Sequence, residues 1–253
     1  MLNVFTKQKS FEDGRLKLEN RRYYLSVPYD KTTTFTENQG RVVAIDPGVR
    51  SFITFYSLND QLGQIGVNDF GRIVRLAFYL DDLIGRASKA KSKVKIRMLK
   101  AAERMRWRIK DLVSELHNKA SNFLVENFDL ILLPEFPTAK MARKTTRKIR
   151  AKSVRSMLTF SHYKFRQRLL HKAQEMGKDV VIVDESYTSK TNSWTGELNR
   201  SLGGAKTIQV GSHRVDRDIN GARNILIKWL SENTRALSDH SVLEFNSGAH
   251  CEQ

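Results

Sequence analysis

Four acidic side chains occupy unusual places for a chain with a formal charge of +17. Asp46 follows the apolar run "RVVAI" and is itself followed by Pro47 and Gly48. Glu135 follows "DLILLP". Asp216 and Asp218 flank Arg217 at the head of "VDRDINGARNIL". Carboxylates drawn into one place repel each other unless cations neutralise them. Hard oxygen donors suit Mg2+ or Mn2+. Two such ions about 3.5–4 Å apart hold the attacking and the leaving oxygen of a phosphodiester. Each acid also has an ordinary use. Asp-Pro-Gly makes a turn, a glutamate beside proline marks a strand exit, and an aspartate at a helix start caps it. What sets them apart as a group is that all fall at strand ends or at a helix start. Spacing does not decide between Asp216 and Asp218.

The elements that must position these acids are legible as periodicity. Val42 to Ile45 form a buried strand, Asp46-Pro47-Gly48 breaks it, and Phe52 to Tyr56 resume in extended form. A third short strand is expected near Ile65–Val67. Apolar residues at Ile73, Leu76, Ala77, Leu80 and Ile84 predict a helix. A second stripe runs through Met105, Ile109, Leu112, Leu116, Ala120 and Phe123. "RASKAKSKVKIR" reads as a basic connector between them, giving a helical hairpin. "DLILLPEF" is a central strand apolar on both faces. A helix carrying Phe165, Leu169, Ala173 and Met176 follows, then "KDVVIVD" as another buried strand. Residues 188–214 read as polar and irregular, and a last helix runs from about Asp218 to Trp229. Ahead of all this, "RLKLEN" and "RYYLSVPY" alternate as short strands. This order predicts an α/β fold with a mixed sheet.

The bulk composition names the partner class. Lys plus Arg total 44 against 27 Asp plus Glu, an excess that points to a polyanion and most often to nucleic acid. A ribosomal or anionic-membrane partner gives the same excess. No run of 18 apolar residues exists, so no membrane span is expected. The lone cysteine, Cys251, supports neither a disulfide framework nor a cysteine-based zinc site. An intracellular location is expected, the nucleus if the host is eukaryotic or viral.

Taken in order, "VVAIDPGVRSFITFYS", "LILLPEF", "YTSKT" and "VDRDINGARNIL" resemble the RuvC-like nuclease core of TnpB and its eukaryotic and viral relatives, the Fanzor proteins. Type V CRISPR effectors share that core. The resemblance implies an RNase H-like (RuvC) mixed sheet with an inserted helical hairpin and a degenerate ribbon. It maps the family's three acids onto Asp46, Glu135 and Asp218, as ligands of two Mg2+ (or Mn2+) ions and as the catalytic residues. By that analogy, not by spacing, Asp218 is chosen over Asp216. The implied activity is a transposon-associated, metal-dependent DNA endonuclease, with DNA and a guide RNA as partners and no membrane. The alternative is a weak or inactive nucleic-acid-binding remnant of such an enzyme.

Two departures from the family qualify this. Relatives carry a zinc ribbon with two Cys-x-x-Cys pairs; those positions here are Asn192, Thr195, Ile208 and Gly211, with His213 the one nearby imidazole. No zinc is expected. Relatives are also longer at the N-terminus, so residues 1–38 read as a remnant of an oligonucleotide-binding β domain, and a second chain is a possible source of the rest. The remaining boundaries are a nuclease core over 39–187, the degenerate ribbon over 188–214, the final helix over 215–230 and a loose tail over 231–253. Backbone phosphates are assigned to Lys140, Arg143, Lys144, Arg147, Lys148 and Arg150, together with Lys190 and Arg217. The same basic run also suits a solvated helix face or a nuclear-import signal. Phe70, Trp107 and Trp229 are read as core rather than as base-stacking residues.

Overall fold

The computed structural model describes residues 13–19, 22–28, 39–48, 50–136, 142–143, 151–184, 190–198 and 206–233. The central sheet contains β3 (Val42–Pro47), β4 (Ile53–Ser57), β5 (Leu62–Ile65), β6 (Leu130–Pro134) and β7 (Asp179–Val183). Their spatial order is β5-β4-β3-β6-β7. β3, β4 and β5 form an antiparallel meander, while β6 and β7 join parallel to β3. The parallel crossings are made by helices, as such connections require.

Side-chain alternation along β3 divides the molecule into layers. Val43 and Ile45, with Ile131 and Leu133 of β6, face a cluster built from α1 (Val67–Lys89), α2 (Ser92–Asn127), α3 (Ala151–Phe160) and α4 (His162–Met176). Val42 and Ala44, with Leu132, face Ala222, Ile225, Leu226 and Trp229 of α5 (Arg217–Glu232). A strand must alternate in this way, so Asp46, one step beyond Ile45, falls on the α5 side. β1 (Arg15–Glu19) and β2 (Arg22–Ser26) form a separate hairpin. It docks on α2 through charge. Arg22 meets Asp111 at 3.0 Å, Lys110 meets Glu19 at 3.0 Å, and the Arg22 guanidinium lies 4.5 Å over the Trp107 ring.

Several expectations change. The basic stretch at 86–97 is mostly helical; only Ala90 and Lys91 separate α1 from α2. Lys and Arg favour helix when their stems lie along the surface, and there is no glycine or proline in that stretch to stop one. The third strand lies at Leu62–Ile65, because Gly66 takes a left-handed conformation (φ 76°) and starts α1. A Cβ at Gly66 would sit 2.8 Å from the Cβ of Phe52, so only glycine fits. The helix expected through Phe165, Leu169, Ala173 and Met176 is α4; a further helix, α3, precedes it and is separated from it at Ser161, which has φ 50°. β7 is the sheet edge and only half-buried, not a second central strand. Residues 188–214 are not wholly irregular, since β8 (Thr207–Val210) and β9 (His213–Asp216) pair as a hairpin. Phe123 is 37% exposed, whereas Trp107 and Trp229 are buried as expected. The side chain of Phe70 lies outside the described residues. Among the described residues no helix is long and apolar enough to cross a membrane.

Candidate functional site

The parallel pairing of β3 with β6 sets Ala44 opposite Leu132. Two residues on, Asp46 falls level with Pro134. Both strands therefore end at the same edge of the sheet, where ligands gather in open α/β folds. Glu135 lies one residue past β6, exposed, with its backbone N–H donating to Val183 O at 3.2 Å.

Helix α5 meets this edge head-on. Asp216 is its N-cap, its Oδ1 accepting from the Asp218 N–H at 2.8 Å. The capping use thus belongs to Asp216, and Asp218 stands in the first turn. One turn further, Gly221 lies so close to β3 that a Cβ built there would be 2.6 Å from Asp46 Oδ2. Residues three apart share a helix face, so Asp218 lies on the face of α5 that carries Gly221. Burial raises the Asp218 pKa above the usual carboxylate range. Arg50 opposes that shift, Asp216 reinforces it, and Arg217 also opposes it. Arg50 escaped the sequence reading; nothing in its spacing marks it.

Asp46 is brought against Gly221 of α5, one turn past Asp218. Among the described residues no three His, Cys, Asp or Glu side chains are grouped as a metal site. The donor chemistry still fits a hard divalent ion. Asp46 and Asp218 offer only oxygens, and a desolvated carboxylate such as Asp218 is relieved by a cation.

Behind the turn that follows Asp46, Phe52 is stacked between two buried imidazoles. His162 lies 5.2 Å away at 12° and His117 lies 5.2 Å away at 21°. Phe136, next to Glu135, meets His162 edge-on at 4.8 Å. His117 Nε2 is 2.8 Å from Phe160 O, whereas among the described residues neither ring nitrogen of His162 has a hydrogen-bond partner. Burial lowers the pKa of each to about 4. For His162 the neighbouring His117 adds to the shift and the Gly48 backbone opposes it. For His117 the bond to Phe160 opposes it, while Arg168 and Lys164 add to it. The unfolded chain takes up protons that these folded rings refuse. Stability is therefore complete above the unfolded pKa of about 6.5 and falls as pH drops toward about 4. Each ring contributes a slope of about 1.4 kcal/mol per pH unit. His162→Phe keeps the stack and removes one of these titrations. In urea unfolding it should recover about 2 kcal/mol at pH 5 relative to pH 7.5; an equal pH-dependent loss in variant and wild type would show that His162 is not the group responsible.

A family profile described as Cas12f1-like, TNB domain, matches residues 162–225. A candidate transposase of Paramecium bursaria Chlorella virus 1 is 33% identical over 83% of the chain and 48% of its own length. A TnpB-like protein of Acanthamoeba polyphaga mimivirus is 29% identical over 82% of the chain and 41% of its own. InsQ of Escherichia coli (strain K12), by name a candidate RNA-guided DNA endonuclease, is 26% identical over 81% of the chain and 53% of its own. The chain belongs to the TnpB family. It spans about half the length of these relatives. A cryo-EM structure of a Cas12f1-sgRNA-target DNA complex superimposes with a TM-score of 0.50 at 19% identity, covering 83% of this chain and 54% of that one. The likeness shows the fold, and the mixed five-stranded sheet of this TnpB family member is RuvC-like, as expected.

The ribbon positions do not fit zinc. Asn192, Thr195, Ile208 and Gly211 supply no thiolate or imidazole, and zinc needs such ligands. Hydrogen bonds hold the segment instead. Asn192 N–H donates to Glu197 O at 2.9 Å and Gly196 N–H to Asn192 O at 2.8 Å. Asn192 Nδ2 reaches Gln209 O of β8 at 3.4 Å. Helix α5 grips the same segment. Asn220 accepts from Ser193 N–H at 2.8 Å and donates to Thr191 O at 2.9 Å. Asn224 donates to Thr191 O at 2.6 Å, and Arg223 donates to Ser193 O. The Arg223 guanidinium also lies 4.8 Å over the Trp194 ring, which is 40% exposed. In this TnpB family member the "NGARNI" stretch therefore joins the carboxylate edge to the ribbon segment. Of the basic candidates, Lys190 and Arg143 are exposed and Arg217 is half-buried. Lys140, Lys144, Arg147, Lys148 and Arg150 lie outside the described residues.

Proposed function

We propose that the chain carries the catalytic core of a transposon-associated DNA endonuclease that acts with a guide RNA. What carries this reading is the Asp46 carboxylate lodged against Gly221 of α5, one turn past the desolvated Asp218. Asp46, Glu135 and Asp218 are the residues that would hold Mg2+ (or Mn2+). When bound, such ions polarise the phosphate and generate the attacking hydroxide. Gly221 leaves room for Asp46, Asp216 anchors the helix start, and Arg50 sets a positive charge near Asp218. DNA and guide RNA as partners are supported by the positive charge, by the InsQ name and by the complex in which the Cas12f1 neighbour was seen.

The test uses purified chain and a labelled single-stranded DNA with Mg2+, with and without EDTA. Cutting that EDTA stops, and that Asp46→Asn and Asp218→Asn each reduce at least about 100-fold, supports the reading. Wild-type rates in both variants would remove these residues from the site. A second reading rests on the exposed Glu135 and on the absence of a three-acid group among the described residues. In that case the chain binds nucleic acid tightly and in a salt-sensitive way without cutting it.

A further inference from the structure

A cavity of about 440 Å³ opens between α1, α2, α3 and α4, on the face of the sheet away from α5. Five cationic side chains line it: Arg106 and Lys110 of α2, Arg155 of α3, and Lys164 and Arg168 of α4. Among the described residues no carboxylate lines it. Three of the five are engaged, Arg155 with Asp81 at 2.8 Å, Lys110 with Glu19 at 3.0 Å, and Arg168 with Asn118. Among the described residues Arg106 and Lys164 have no acidic partner within ion-pair distance. Beneath this rim the wall is apolar, made by Ala77, Leu80, Ile109 and Val113, with the Ser114 and Thr159 hydroxyls among them. His117 lines it too, fixed by its bond to Phe160 O.

A purely electrostatic anchor needs no apolar recess, and an apolar ligand pocket needs no crown of cations. The combination suits a flat heteroaromatic ring with anions on either side. The volume lies within the roughly 300–1,000 Å³ range of sites that enclose small ligands. Single strands are gripped without regard to sequence by a cationic groove with ring faces for the bases; among the described residues of this lining the ring is His117 and the rest of the wall is aliphatic.

We infer that this cavity takes one unstacked nucleotide of a single nucleic-acid strand, its base against Leu80, Ile109 and Val113 and its flanking phosphates on Arg106 and Lys164. The inference rests on the nucleic-acid reading above and extends it to a second contact. The strand held here is anchored on the opposite side of the sheet from Asp46 and Asp218. RNA and DNA share the chemistry, so both strands are tested.

The full chain is titrated with a labelled 20-nucleotide single-stranded RNA and with DNA of the same sequence, over a range of salt. Ser114→Trp fills the recess without changing charge. It is expected to weaken binding about tenfold by excluding the base from the apolar wall, a loss of about 1.4 kcal/mol, and to leave the salt slope unchanged. The double variant Arg106→Gln, Lys164→Gln removes two rim cations at exposed positions. It is expected to lower the salt slope by about 1.4, since each phosphate contact to a single strand contributes about 0.7. Effects on one strand alone identify that strand as the ligand, and effects on both leave the shared chemistry standing. Unchanged binding of both strands in the double variant overturns the inference, whatever the fate of Ser114→Trp. A loss that is equal for a blunt duplex of the same length overturns it too, because a duplex offers no unstacked base. Binding is read in EDTA, so the inference holds or falls independently of cutting. A chain that never cuts but loses single-strand affinity in both variants refutes the nuclease and keeps the pocket.

Discussion

Gly221→Ala should abolish most of the cutting activity while leaving the fold intact. In an exposed helix, glycine to alanine stabilises by about 1 kcal/mol. At Gly221 the new methyl would meet Asp46 Oδ2 at 2.6 Å and Asp46 Cγ at 3.5 Å. Real carbon and oxygen atoms do not approach so closely. The least costly relief is rotation of the Asp46 carboxylate away from α5. That movement takes little stability but displaces the atoms on which the proposed chemistry depends. A misplacement of about 1 Å is enough for a loss on the order of 100-fold. Gly85 supplies the control: it lies in α1, and a Cβ there meets nothing within 4 Å. Gly85→Ala should gain about 1 kcal/mol in urea unfolding with unchanged cutting. Gly221→Ala should fail to gain it, since overpacking costs about 1–3 kcal/mol. If the two variants are equally stabilised and equally active, α5 does not rest on Asp46 as described.

Asp129→Ala should be the most destabilising single change, with a cost of about 3–5 kcal/mol. Three parallel strands begin side by side, and the residue immediately before each is ionic: Arg41 before β3, Asp129 before β6 and Lys178 before β7. Asp129 accepts from the Arg41 guanidinium at 3.1 Å through both oxygens, and from Lys178 Nζ at 2.6 Å. It also accepts from the backbone N–H groups of Gln39 and Arg41. Asp129 is 2% exposed and Lys178 is 8% exposed. Burial alone would push the Asp129 pKa up, but Arg41 and Lys178 outweigh it and hold the group well below the usual carboxylate range. A lowered carboxylate pKa contributes stability that is present above the unfolded value, near 3.9, and is lost as pH falls below it. This loss therefore begins where the histidine effect is ending. Removing Asp129 takes a buried counter-charge away from the Lys178 ammonium and from the Arg41 guanidinium. Urea unfolding at pH 7 measures the cost. A loss under about 1 kcal/mol, the size of an ordinary surface pair, would mean that water already screens this triad.

The sequence carried the sheet because its strands are short apolar runs with clear stops, and Asp46, Pro134 and Gly66 mark those stops. It carried α5 because "ILIKWL" has helical spacing. It also left Asp216 and Asp218 unresolved for a sound reason, since both precede the helix; only the bond from the Asp218 N–H shows which one is the cap. Other features depend on contacts between residues far apart in the chain and leave no local mark. The pairing of Asp129 with Lys178 spans 49 positions. Arg50 comes near Asp218 only once β3 and α5 have packed. Asn220 and Asn224 read as unremarkable helix residues until the carbonyl of Thr191 is placed between them. The basic connector hides its helix for another reason: it has no apolar stripe to show a helical period, although lysine and arginine are good helix formers.

Helix α5 has two tenants. One flank lodges Asp46 against Gly221; Asn220, Arg223 and Asn224 fasten residues 191–193. A rigid rod with cargo at two stations transmits a push at either one to the other. Residues 191–193 cannot shift against the sheet without breaking these bonds or turning the rod, and turning it swings Asp218 relative to Asp46. The half-exposed Trp194 thus belongs to a segment fastened to the same helix that abuts Asp46.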